Sequence, residues 1–299
     1  MPDPAPSSPS GLPHALAAYV MWGLVPLYML PIRDVAPWEV VGWRILFTVP
    51  FCLVLIHFAR QGSQLAMILR NRKALLALTA SALLIGGNWL IYFVAIQEGH
   101  VLAASLGYYI NPLANVLAGA LFLGERLSRR AWLAVAVAGA GVALLAWGAR
   151  DTLLISLSLA TTFCGYGLVR KLAPVPSLPG LAVESAILVL PALGILAWID
   201  AQQGLRFGGD LVTSLMLVGS GIVLSTPLLF FAVAAKRMDY STLGFVQFLS
   251  PTLAFVLALF VFHEPLQPVQ LGCFVAIWAA IALFSWDLLQ QRVRVRARP

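Results

Sequence analysis

Charge is scarce in this sequence: only 10% of its 299 residues are Asp, Glu, Lys or Arg, and the acidic ones number 12. A soluble domain usually carries about a quarter charged residues, so a water-exposed globular surface is excluded. Cysteine is scarcer still. Cys52, Cys164 and Cys273 each lie in an apolar run without paired spacing, which suggests neither a disulfide frame nor a metal knuckle. They read as small core residues. There is no P-loop, which argues against ATP-driven pumping by this chain alone. Neither HExxH nor GxSxG occurs, and His14, His57, His100 and His263 fall in different segments. An enzyme, a metal site and a bound cofactor therefore have no motif to rest on. No ring of repeated charges or carbonyl filter is visible, which argues against a channel.

What the chain has instead is apolar length. Hydrophobic residues make up 61% of it and the mean hydropathy is +0.90. A membrane-spanning helix needs about 20 residues, and ten candidates follow one another at roughly 13–31, 38–58, 74–96, 102–123, 129–147, 152–170, 179–199, 211–234, 241–262 and 267–286. The sixth is diluted by Ser156, Ser158, Thr161 and Thr162. The expected fold is an all-α integral membrane protein. Residues 1–12 form a Pro/Ser-rich tail with no basic n-region, expected to be disordered and not a cleaved signal.

Lys and Arg set the expected orientation, because cytoplasmic loops hold their excess. With the N-terminus inside, the inner segments hold Arg60, Arg70, Arg72 and Lys73; Arg126, Arg129 and Arg130; Arg170 and Lys171; Lys236 and Arg237; and Arg292, Arg294, Arg296 and Arg298. The outer loops hold Arg33, Arg150 and Arg206. Both termini are expected in the cytoplasm, with residues 287–299 a basic tail. The net charge of +7 then reflects topology and attraction to anionic membrane lipid, and nucleic acid is not an implied partner.

The chain is also one unit written twice. At an offset of 139 residues Pro112 falls on Pro251, Glu125 on Glu264 and Leu127 on Leu266, while NWLIYFVA from Asn88 falls on PLLFFAVA from Pro227. The units are residues 13–147 and 152–286. Five helices per unit is an odd number, so the second enters the membrane from the opposite side. Two inverted repeats suit alternating access, because halves of opposite orientation can exchange conformations around one central site.

The strings ASLGYYINPL, Asn88-Trp89, Gly124 to Leu127 (GERL), Tyr166 to Lys171 (YGLVRK) and Leu243 to Thr252 (LGFVQFLSPT) resemble the RarD-type permeases. That group lies in the EamA branch of the drug/metabolite transporter superfamily, and the likeness covers nearly the whole chain. The resemblance implies ten helices in two EamA repeats, cytoplasmic termini, and carriage of a small-molecule solute across a bacterial inner membrane. It also implies a cavity lined by helices 1, 3, 4, 6, 8 and 9. One position departs from the pattern: RarD-like chains usually have His before the arginine of the second helix, where this chain has Trp43 before Arg44.

Polar groups at membrane depth are costly and mark candidate sites. Arg44 lies about 9 Å inside helix 2 at 1.5 Å per residue. Snorkelling to the interface or a structural bond is the plain alternative to a ligand role. Glu184 lies at a similar depth from the opposite end, so the two are not expected to form a simple ion pair. Glu184 and Glu98, at the turn after helix 3, are the carboxylates suited to proton coupling. Pro112 and Pro251 each remove a backbone donor near mid-helix and are expected as kinks or hinges. Asn111 and Asn115, one turn apart, make one face of helix 4 polar, and Gln247 and Ser250 precede the second proline. Trp22, Trp89, Tyr92, Tyr108 and Tyr166, with Asn88, supply ring faces and polar handles for an organic solute; core packing is the alternative for each. Small residues at four-residue spacing in helices 5 and 10 (Ala134, Ala138; Gly272, Ala276, Ala280) allow close packing, as scaffold or as a homodimer contact. Glu125 and Glu264 are expected to make helix-end hydrogen bonds. The rival to a carrier is a non-transporting membrane receptor or assembly factor on the same scaffold.

Overall fold

The computed structural model describes residues 11–147, 150–263 and 268–296, and side chains as far as residue 290. The described residues are helical with no strand. Thirteen α-helices follow in order: α1 (Leu12–Met29), α2 (Pro37–Phe58), α3 (Gly62–Arg70), α4 (Arg72–Gln97), α5 (Val101–Phe122), α6 (Arg129–Trp147), α7 (Leu153–Leu172), α8 (Ser177–Gln203), α9 (Leu211–Val223), α10 (Thr226–Arg237), α11 (Tyr240–Gln247), α12 (Leu249–Phe260) and α13 (Pro268–Arg296). Ten stretches are long and apolar enough to cross a membrane, at 12–32, 37–58, 72–97, 101–122, 129–147, 150–172, 177–203, 211–237, 240–260 and 268–290. These are the ten expected spans, displaced by a few residues at their ends.

Two spans are broken within the membrane. The eighth consists of α9 and α10, joined at Leu224-Ser225. Pro227 has no N–H to continue the ladder. The hydroxyl of Thr226 donates to the Ile222 carbonyl at 2.7 Å, and that of Thr48 donates to the Gly221 carbonyl at 3.2 Å. Hydroxyls thus replace backbone donors where lipid offers none. The ninth span breaks at Phe248, between α11 and α12 and three residues ahead of Pro251. By contrast, α5 stays helical straight through Pro112. The sixth span, α7, disposes of its hydroxyls in the same way: Ser156 donates to the Ala103 carbonyl at 2.7 Å and Thr162 to that of Ser158 at 2.6 Å.

The chain forms two compact units, and neither is one of the sequence repeats. Among the described residues the first takes 11–89 and 165–238, the second 90–147, 150–164, 239–263 and 268–296. In the first unit α2 packs on α8 and α9, α1 on α10, and α3 on α8. Gly221 permits the approach of α9 to α2, since a Cβ there would lie 2.5 Å from Phe47 Cβ and 2.7 Å from its carbonyl carbon. In the second unit α6 packs on α13 and α5 on α11. Ala134, Ala138 and Gly141 are buried, and a Gly141 Cβ would meet Ala276 Cβ at 2.7 Å. The small-residue face of α6 therefore serves as scaffold within the chain. Gly244 does the same for α11, where a Cβ would stand 2.7 Å from the Pro112 carbonyl oxygen.

Residues 287–290, assigned to a basic tail, continue α13, which extends to Arg296. The segment α3, with Met67 and Leu69 exposed and Ile68 buried, is an added short helix between the second and third spans. Glu264 and Leu266 of the repeat, residues 1–10 of the tail and residues 297–299 lie outside the described residues.

Candidate functional site

In the first unit a narrow cavity is lined by side chains from α2, α4, α7, α8 and α10 together with Ser225 at the α9–α10 break. Arg44 on α2 lies over the ring of Trp89 on α4, its guanidinium carbon 3.9 Å from the ring centroid, and both face the cavity. A guanidinium over an indole face is held by the negative quadrupole of the ring and stays planar and donor-rich. Tyr166 on α7 is buried beside them and stacks on Phe231 at a centroid distance of 5.9 Å. Thr48 and Ser225 add a hydrogen-bonded hydroxyl pair, and Ile45, Ile85, Leu181, Leu188 and Leu228 make the remaining wall apolar.

Glu184 on α8 is at the same cavity and has partners that the sequence did not suggest. Its Oε1 accepts from the Ser81 hydroxyl of α4 and from Arg170 Nη1 of α7 at 3.3 Å. Arg170 Nη2 donates to the Ser177 carbonyl at 2.8 Å. Both side chains of this ion pair are buried, at 0% and 2% exposure. Arg170 is therefore not a loop cation: the four-residue connection 173–176 folds the last turn of α7 under the first turns of α8. Gly180 makes room for it, because a Cβ there would come within 2.3 Å of Arg170 Nη1. Arg170 Nε and Glu184 Oε2 have no hydrogen-bond partner among the described residues.

Above this pair two lysines cross. Lys171 Nζ, from the end of α7, donates to the carbonyls of Ala235 at 3.0 Å and Met238 at 2.7 Å, at the end of α10. Lys236 Nζ, from the end of α10, donates back to the carbonyls of Ala173 at 2.8 Å and Val175. The end of α10 and the turn that follows α7 are thus each tied by the other helix's cation.

Glu39, absent from the sequence candidates, is 1% exposed and accepts from the backbone amides of Arg206 and Phe207 at 2.9 Å and from Trp43 Nε1 at 3.2 Å. Trp43 also stacks on Phe207 at 4.2 Å. Trp43, the residue before Arg44, thus helps to pin the loop before α9. Trp22, on α1, packs between Tyr19 and Phe231. Asn88 is buried on α4. Neither Trp22 nor Asn88 lines the cavity.

The second unit holds the other expected residues. Asn115 Nδ2 on α5 donates to Gln247 Oε1 at the end of α11, at 2.5 Å. Asn111, one turn earlier, is 3% exposed. The Oδ1 atoms of Asn111 and Asn115 have no hydrogen-bond partner among the described residues. Tyr92 and Tyr108 meet edge to face at 5.7 Å. Ser250 is half-buried on α12 and Pro251 buried beside it. Glu98 lies exposed in the α4–α5 turn, 3.8 Å from His100. Glu125 accepts from the amides of Tyr240 and Ser241 at 2.6 and 2.8 Å, the helix-end role expected of it. No His, Cys, Asp and Glu group suited to a metal occurs among the described residues.

With this geometry in hand, the likenesses to known proteins are consistent. Residues 9–147 match the EamA-like transporter family. Protein RarD of Escherichia coli strain K12 is 39% identical over 95% of this chain and 96% of its own length. An uncharacterized transporter of Pseudomonas aeruginosa is 41% identical over 91% and 92%. The chloramphenicol-sensitive protein RarD of the same species is 32% identical over 96% and 98%. A chain of known crystal structure, 19% identical, superposes with a TM-score of 0.71 over 91% of this chain and 96% of its own, a likeness of fold.

Proposed function

Because the chain belongs to the EamA-like transporter family, among its RarD-type permeases, we propose that it is a secondary carrier. It moves a small organic solute across the bacterial inner membrane by alternating access. The observation that carries this reading is the cavity at Arg44, Trp89, Tyr166 and Glu184, which concentrates charged and aromatic groups in the membrane-spanning part of the fold. Such groups are costly to keep there and are retained where a solute uses them.

The packing supports an inverted repeat. Under the 139-residue offset the second and seventh spans are counterparts, as are the fourth and ninth and the fifth and tenth. Each pair is in contact, α2 with α8, α5 with α11 and α6 with α13. Contact between an element and its own counterpart is what a two-fold relation between the repeats produces for elements beside its axis, whereas α1 packs on α10, the counterpart of α4. The N-terminus is cytoplasmic in this reading, supported by the loop cations other than Arg170. The crossed lysines Lys171 and Lys236 then close the cytoplasmic end of the first unit, and alternation requires that they part.

Counterflow in proteoliposomes tests the proposal. Vesicles loaded with a candidate solute and holding the purified chain should take up a labelled trace of it, and Trp89→Ala should abolish the uptake. Absence of solute-dependent flux across a broad panel would favour a receptor or assembly factor on this scaffold.

A further inference from the structure

The second unit holds two buried acceptors that its own side chains leave unpaired. Asn111 and Asn115 on α5 are 3% and 0% exposed, and the Oδ1 atom of neither has a hydrogen-bond partner among the described residues. An unpaired carbonyl oxygen is costly where lipid surrounds the fold and no bulk water replaces the lost bond. Two of them on one helix face call for a ligand that donates or that carries positive charge.

Packing places this face against α11. A Cβ on Gly244 would stand 2.7 Å from the Pro112 carbonyl oxygen, and Asn115 Nδ2 donates to Gln247 Oε1 at 2.5 Å. Gln247 is the last residue of α11, where the ninth span breaks. The C-terminal end of a helix carries partial negative charge, and α5, α11 and α12 contain no charged side chain to offset it. Neutral oxygens beside a half-helix C-terminus at membrane depth suit a small hard cation. With no carboxylate on these helices to balance a second charge, a monovalent ion fits better than a divalent one. Sodium has nearly the radius of calcium, which holds oxygens at about 2.3–2.6 Å, so two of its ligands stand at most about 5 Å apart. Side chains one helical turn apart, with Cβ atoms about 5–6 Å from each other, can meet that separation.

We infer that the second unit binds a sodium ion at the end of α11, on Asn111 Oδ1 and Asn115 Oδ1 with the Gln247 side chain beside them. The site does not depend on the carrier reading, whereas a role for its ion in coupling a gradient to solute flux rests on it. The rival occupant is a buried water that donates to both oxygens.

Unfolding in different salts separates the two without any flux. The purified full chain in detergent is melted in sodium, potassium, ammonium and choline chlorides of equal concentration. Sodium is expected to raise the melting temperature above that in choline by about 5 °C once it exceeds its dissociation constant a hundredfold, and the rise should follow the logarithm of its concentration. Asn111→Leu leaves the Asn115–Gln247 bond in place. It should lose the sodium shift while melting in choline no lower than the wild type, since it removes an unpaired acceptor. Asn111→Asp, which supplies an oxygen with a full charge, should keep the shift and begin it at a lower sodium concentration.

Equal melting temperatures in all four salts would favour the water and overturn the inference. A larger rise in potassium or ammonium than in sodium overturns it as well. So does a sodium shift that survives Asn111→Leu or, should that variant not fold, one that begins at the same concentration in Asn111→Asp as in the wild type. Each of these results leaves counterflow, and with it the carrier reading, untouched.

Discussion

Arg170 and Glu184 form a fully buried ion pair, Nη1 to Oε1 at 3.3 Å, between the last turn of α7 and the third turn of α8. Removing one partner strands the other in a medium that cannot solvate it, at a cost of about 3–5 kcal/mol. Glu184→Gln and Arg170→Met are each expected to lower the unfolding free energy by that order. The double variant Arg170→Met/Glu184→Met should recover most of the loss. Denaturant or thermal unfolding of the purified variants checks this, and a fully additive double variant would contradict the pairing.

Glycine contacts give a second, graded expectation. Gly221→Ala drives a Cβ into the backbone of α2 at Phe47 and should destabilise by about 1–3 kcal/mol. A Cβ on Gly139 meets no atom within 4 Å, so Gly139→Ala should be neutral or stabilising, because it reduces the freedom of the unfolded chain. The order of the two melting temperatures is the readout.

The crossed lysines should govern local opening. Lys171→Ala/Lys236→Ala leaves the carbonyls at the end of α10 and in the turn after α7 without their cations. Hydrogen exchange in peptides covering residues 168–178 and 232–240 is expected to quicken by tenfold or more, while α6 and α13 keep their wild-type rates. Unchanged exchange at both helix ends would show that the lysines do not hold them.

Outside the membrane spans, Asp210 caps α9, with its Oδ1 accepting from the Thr213 amide at 2.8 Å. That bond holds the carboxyl below the usual carboxylate range. A depressed folded-state value means that the stabilisation is present above the ordinary carboxylate pKa and is lost as pH falls through the lowered one. Exchange protection in the first turn of α9 should therefore hold from neutral pH into the mildly acid range and fall below it. In Asp210→Ala it should be weak at every pH.

Much of this was legible in the chain. Apolar run lengths gave all ten spans, because the bilayer sets helix length by its thickness. Arg44, Trp89, Tyr166 and Glu184 were accessible because polar and aromatic residues inside such runs are conspicuous. Arg170 was not, since a cation at the end of an apolar run looks like any loop residue. Its burial follows from the four-residue α7–α8 connection and from Gly180. Glu39 was hidden for a similar reason, as its partners are amides some 167 residues away. The eighth-span break had a signal in Ser225-Thr226-Pro227, where a proline in the first turn marks a restart. The division of the repeats between two compact units had none, because sequence order does not state which helices pair.

Alternating access to the Arg44–Glu184 cavity is the central claim, and accessibility measures it most directly. Ser185 lines that cavity and would carry a single cysteine, Ser185→Cys, in a chain whose buried Cys52, Cys164 and Cys273 have been replaced. A small membrane-impermeant thiol reagent is then applied from either face of oriented vesicles. The account predicts labelling from both faces, slowed by a transported solute and redistributed between faces by a solute gradient. Labelling confined to one face under every condition, or from neither face in a folded protein, would contradict it.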